Sequence, residues 1–106
     1  MTTKYKDAFE CYEVIGRWLT EEAPAPWKTI VVDFKLIAID DVSEYVIKYY
    51  PVKAPTVGKQ IFIDESELWD AFYQLARLTS SPEKGLFKKC KFTLFATGKY
   101  TSDFEY

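Results

Sequence analysis

Residues 64–78, DESELWDAFYQLARL, decide the fold. Leu68, Ala71, Phe72, Leu75 and Leu78 recur at helical spacing, so the segment predicts a helix whose apolar stripe must be buried. Trp69, Tyr73 and Ala76 lie beside that stripe, and Glu65, Glu67, Asp70 and Gln74 take the remaining surface. Asp64 and Glu67 stand at capping-box spacing, in which each side chain accepts from a backbone N–H that the first turn leaves unpaired. The helix is therefore expected to begin at Asp64, with a core face and an acidic rim.

Its packing partner should be a sheet, because β-branched and aromatic runs flank it on both sides. Thr29–Ile39 alternates Ile30, Val32, Phe34 and Leu36 with Val31, Asp33, Lys35 and Ile37, which predicts a strand with the first set inward. The polar turn Asp40-Asp41-Val42-Ser43 leads into a second strand, Glu44–Tyr50, and the two form a hairpin. Pro51 to Lys59 reads as a loop, and Gln60–Ile63 as a short third strand.

Upstream, Tyr5, Ala8, Phe9, Tyr12, Ile15, Gly16 and Leu19 share one face of a first helix over Tyr5–Glu22. Ala23-Pro24-Ala25-Pro26 ends it, since proline lacks the donor and disfavours helical geometry before it. Trp27 then packs the turn against the core. Downstream, Thr79–Gly85 is a surface loop, and Phe87–Tyr106 is a hairpin turning around Gly98. A two-residue Gly98-Lys99 turn would set Leu94 opposite Asp103, whereas a three-residue loop, Thr97–Lys99, sets Phe92 opposite Phe104 and Lys91 opposite Glu105. The odd-length loop is expected. The order helix, two or three strands, helix, two strands predicts an α+β fold, a single antiparallel sheet of four to five strands with two helices packed on one face. Residues 1–106 are expected to form one domain.

Composition narrows the chemistry. The chain has no histidine, which removes the commonest general base and metal ligand. Its serines and threonines have no recognisable activating partner, and Gly98-Lys99 lacks the first glycine and following helix of a P-loop. The carboxylates show no EF-hand spacing and read as a solvated face plus a helix cap. Neither an enzyme nor a cofactor-binding or metal-binding protein is expected. With 14 basic and 16 acidic residues the net charge is -2, and the RNA-recognition signature of glycines and aromatics is missing, so no nucleic-acid partner is expected. Cys11 and Cys90 are far apart without CxxC spacing and read as buried thiols in a reducing compartment, with a disulfide as the alternative. The start MTTKYKDAFE has no apolar run for a signal peptide, and no stretch approaches the roughly 18 apolar residues of a membrane span. No membrane partner and a cytoplasmic location are expected; oligomeric state is left open.

Several motifs resemble one family. Pro26-Trp27-Lys28, Glu67-Leu68-Trp69-Asp70-Ala71-Phe72, Phe92-Thr93-Leu94 with Gly98-Lys99-Tyr100, and Asp103-Phe104-Glu105-Tyr106 are similar to the YezG-like immunity proteins. These are antitoxins that accompany polymorphic toxins and contact-dependent growth-inhibition systems of bacteria. The resemblance covers most of the chain, and none of its motifs is catalytic. It implies a non-enzymatic inhibitor that binds the toxic domain of its cognate effector and blocks its active site or substrate surface; a nuclease-type toxin, whose cleft is basic, is the expected partner. Acidic side chains and a few aromatic anchors suit that role. The candidate toxin-binding residues are Asp40, Asp41 and Glu44 around the turn, Glu65, Glu67 and Asp70 on the helix, and Asp103 and Glu105 at the end, with Trp69 or Tyr73 as anchors. The alternative is a protein-interaction or small-ligand-binding regulatory domain outside toxin systems, the latter favoured by a deep apolar pocket between helices and sheet.

Overall fold

The computed structural model describes residues 5–106, so the first four residues of the MTTKYKDAFE start lie outside it. The elements are α1 (Ala8–Glu22), β1 (Trp27–Ala38), β2 (Val42–Pro51), β3 (Lys59–Ile61), α2 (Ser66–Leu78), β4 (Lys89–Phe95) and β5 (Tyr100–Glu105). The strands form one antiparallel sheet in the order β3-β2-β1-β4-β5, giving the α+β architecture that the sequence predicts. β1 is the central and longest strand. Its inward residues Ile30, Val32 and Phe34 are buried, while Asp33 and Lys35 point to the opposite, open face.

Both helices cover the same face. α2 lies over β1 and β2, where Phe72 stacks on Phe34 with centroids 4.6 Å apart and Trp69 stacks on Tyr45 at 3.8 Å. α1 lies over β4 and β5, where Tyr12 meets Phe92 at 5.9 Å and Tyr100 at 4.9 Å. The Tyr12 hydroxyl shares a 2.7 Å hydrogen bond with Ser102 Oγ, and burial raises its pKa above the ordinary tyrosine value. A continuous core of aliphatic and ring side chains fills the space between the layers.

Several boundaries differ from expectation. α1 begins at Ala8 and not Tyr5, because Asp7, with extended backbone geometry, is the N-cap and its Oδ1 accepts from the Glu10 N–H at 3.1 Å. Phe9 is 58% exposed, and Cys11 takes the core position that a stripe through Phe9 and Gly16 would have left out. α2 begins at Ser66, not Asp64; Glu65 is its N-cap and makes no side-chain capping bond. Gln74, expected on the surface, is buried, because the covered arc of α2 extends through Ala71, Phe72, Gln74, Leu75 and Ala76. The β1–β2 turn is tighter than Asp40 to Ser43: β2 already starts at Val42, and Asp40 takes a left-handed φ of 62°.

The β4–β5 loop is odd-length, as parity requires, but it sits one residue earlier than expected. Phe95 N–H donates to the Lys99 carbonyl at 2.8 Å, so Ala96–Gly98 forms the loop. Phe92 consequently faces Ser102, Cys90 faces Phe104, and Lys91 faces Asp103. Gly98, at φ 90°, is the cause: the left-handed residue closes a three-residue hairpin loop from its last position. Cys11 and Cys90 are free and buried, and burial pushes both thiols up to about 12, so they are protonated. Among the described residues, no helix is long and apolar enough to cross a membrane.

Candidate protein-binding site

The ten candidate residues separate onto different sides of the molecule. Glu44, Asp103 and Glu105 share the outward parity of their strands and lie on the open sheet face, away from the helices. There they alternate with lysines. The registers set Glu44, Lys35, Lys89 and Glu105 in one row across four strands, and Asp33, Lys91 and Asp103 in the next. These rows line a shallow hollow of about 850 Å³. Over the whole open face Lys35, Lys48, Lys89 and Lys91 offset Asp33, Glu44, Asp103 and Glu105, so this surface has no net acidic character for a basic partner to read.

The other candidates gather at α2 and the β1–β2 turn. Asp40, Trp69, Asp70 and Tyr73, joined by Asp64 and Gln74, line a hollow of about 500 Å³. Asp41 is exposed beside it at the turn, and its N–H donates to the Ala38 carbonyl at 2.9 Å. Glu65 is half-buried at the N-cap of α2. Within this group Asp40, Trp69 and Tyr73 have structural partners. Arg77 grips Asp40 with both guanidinium nitrogens, one of them at 2.9 Å from Oδ1, and this contact holds the Asp40 carboxyl below its ordinary value. Trp69 donates its indole N–H to the Ile63 carbonyl at 3.2 Å, and Tyr73 donates its hydroxyl to Ser43 Oγ at 3.1 Å. Both rings are half-buried against the core. Neither is the projecting side chain that an anchor requires.

Glu67 is also committed inside the fold. Its Oε1 accepts from Trp18 Nε1 at 2.8 Å and from Arg17 Nη2 at 2.5 Å, which ties the first turn of α2 to the middle of α1. A charge-assisted pair of this kind does structural work even when partly exposed.

Charge is divided between the two layers. Of the 16 acidic residues, only Asp33, Glu44, Asp103 and Glu105 belong to strands, which also carry Lys28, Lys35, Lys48, Lys59, Lys89 and Lys91. α1 carries Glu10, Glu13, Glu21 and Glu22 against a single Arg17, and α2 with its approach carries Asp64, Glu65, Glu67 and Asp70 against Arg77. The helical layer is acidic and the strands are lysine-rich. The sequence does not single out the acids of α1, because that helix announces itself by its apolar stripe; their signal is the polar face between the apolar positions.

Among the described residues no cluster of three or more His, Cys, Asp or Glu could hold a metal ion. Compared with known proteins, the chain matches no family model and no curated protein.

Proposed function

We propose that the protein is an immunity protein that binds and neutralises a cognate bacterial toxin domain of nuclease type, without catalysing a reaction, and that it acts in the cytoplasm. The carrying observation is the acidic helical layer. A nuclease cleft is basic because it must hold a phosphate backbone, so an inhibitor presenting one acidic face is drawn to it and oriented by the field. Asp41, Glu65 and Asp70 are the sequence-derived candidates that belong to this face, and the α1 acids extend it. Glu44, Asp103 and Glu105 lie on the balanced open face and are left out of the contact. The resemblance of the Glu67–Phe72 and Asp103–Tyr106 motifs to the immunity family supplies the partner class.

The test is co-expression with the C-terminal fragment encoded by the gene immediately upstream. Restored growth of the toxin-producing cell and co-purification in fixed stoichiometry are expected. Continued growth arrest with no complex would overturn the reading.

A further inference from the structure

The groove between α1 and the β4–β5 hairpin has properties that the fold alone does not explain. Tyr12, Leu94 and Tyr100 form its floor, Phe9 stands at one end with 58% of its surface exposed, and the cavity measures about 520 Å³. Gly16, in the middle of α1, also lines it. A mid-helix glycine destabilises the helix relative to alanine through the backbone freedom it gives up. The usual structural reason is close approach of a neighbour, yet a Cβ built on Gly16 would meet no atom within 4 Å. The fold accepts alanine there. The missing side chain keeps the groove open.

The rim identifies what enters. Glu13 and Glu21 flank the groove, and Arg17, the one cation among its described lining residues, is turned to Glu67. An apolar floor between two carboxylates is complementary to a large apolar side chain flanked by lysine or arginine.

We infer that this groove is the anchor site for the partner: a basic segment of the toxin domain seats one aromatic or leucine side chain over Gly16, against Phe9 and Tyr100, with its cations facing Glu13 and Glu21. The inference rests on the immunity reading above and deepens it. It replaces Trp69 and Tyr73, which are bonded into the core, with a site that is open to solvent.

The experiment titrates wild-type protein, Gly16→Ala, Gly16→Leu and Phe9→Ala with the upstream-encoded C-terminal fragment, reading affinity by calorimetry and the folded state by thermal melts and circular dichroism. Gly16→Ala is expected to raise Tm by about 2–6 °C, because it removes only the helix penalty. Gly16→Leu is expected to keep the fold and weaken binding at least tenfold, and Phe9→Ala to weaken it several-fold. In wild-type spectra with labelled nitrogen, the Gly16 and Tyr100 amides should shift on addition of the fragment. Folded Gly16→Leu with unchanged affinity overturns the anchor assignment while leaving the immunity reading standing. Wild-type protein that fails to bind the fragment overturns the immunity reading and the anchor together. Concentration-dependent self-association that Gly16→Leu abolishes gives the groove to a second copy and overturns the toxin assignment.

Discussion

Asp7-Ala8-Phe9-Glu10 and Asp64-Glu65-Ser66-Glu67 place the same two acids at the same spacing before a helix, and the fold uses them differently. In the first, Asp7 Oδ1 accepts from the Glu10 N–H at 3.1 Å while Glu10 Oε2 accepts from the Lys6 N–H at 2.7 Å, so helix α1 closes its own first turn. In the second, Asp64 makes no cap and Glu67 is taken by Trp18 and Arg17 across the layer. Capping competes with any other donor within reach. An indole N–H and a guanidinium together outbid a backbone amide that water can also satisfy. α1 is thus begun by its own residues, whereas α2 is held at its start by α1.

Four substitutions test that contrast. The largest effect is expected from Glu67→Ala, which leaves the half-buried Trp18 indole without its acceptor and cuts the tie between the helices. A loss of about 1–2 kcal/mol, discounted for the exposure of the pair, should appear as a lower denaturation midpoint. Removing the true cap by Asp7→Ala should cost about 1 kcal/mol by the same measurement. Asp40→Asn should cost under about 1 kcal/mol near neutral pH, since its ion pair with Arg77 is partly exposed. Its sign with pH follows from linkage. The Asp40 carboxyl is held below 3.8 in the folded protein, so the pair contributes fully above about pH 4. That contribution fades as pH falls through the lowered value, and wild-type and Asp40→Asn stabilities should converge there in acid melts. The smallest effect belongs to Asp64→Ala, within about 0.5 kcal/mol, since that side chain caps nothing. A loss equal to that of Asp7→Ala would restore the capping box at Asp64 and remove the contrast.

The same competition explains what could be read from the chain alone. Strand alternation was legible because burial follows parity: Ile30, Val32 and Phe34 are inward as the pattern requires, and Glu44 is outward with Val46 and Lys48. Helix starts depended on tertiary donors, so Asp7 and Asp64 look alike in sequence and diverge in the fold. The hairpin register turned on a single φ at Gly98, which parity restricts to odd loops without choosing among them. For the candidate site, each acid was visible, but its side was not. That Asp103 and Glu105 face away from Asp70 follows only once both helices are known to cover the same face of the sheet. Trp69 looked like an anchor because its acceptor is a backbone carbonyl, Ile63, that no side-chain pattern announces. Phe9 and Gly16 were assigned to the core by helical spacing, and their exposure emerges only from where α1 settles on β4 and β5.

Under the proposed function the helical layer, and not the open sheet face, meets a basic toxin domain. This is tested most directly by association rates with the upstream-encoded fragment across a salt series, comparing Asp41→Lys/Glu65→Lys/Asp70→Lys with Glu44→Lys/Asp103→Lys/Glu105→Lys. The helical-layer variant is expected to associate at least tenfold more slowly at low salt and to lose its salt dependence, while the sheet variant stays close to wild type. Equal slowing by both variants, or slowing by the sheet variant alone, would contradict that reading.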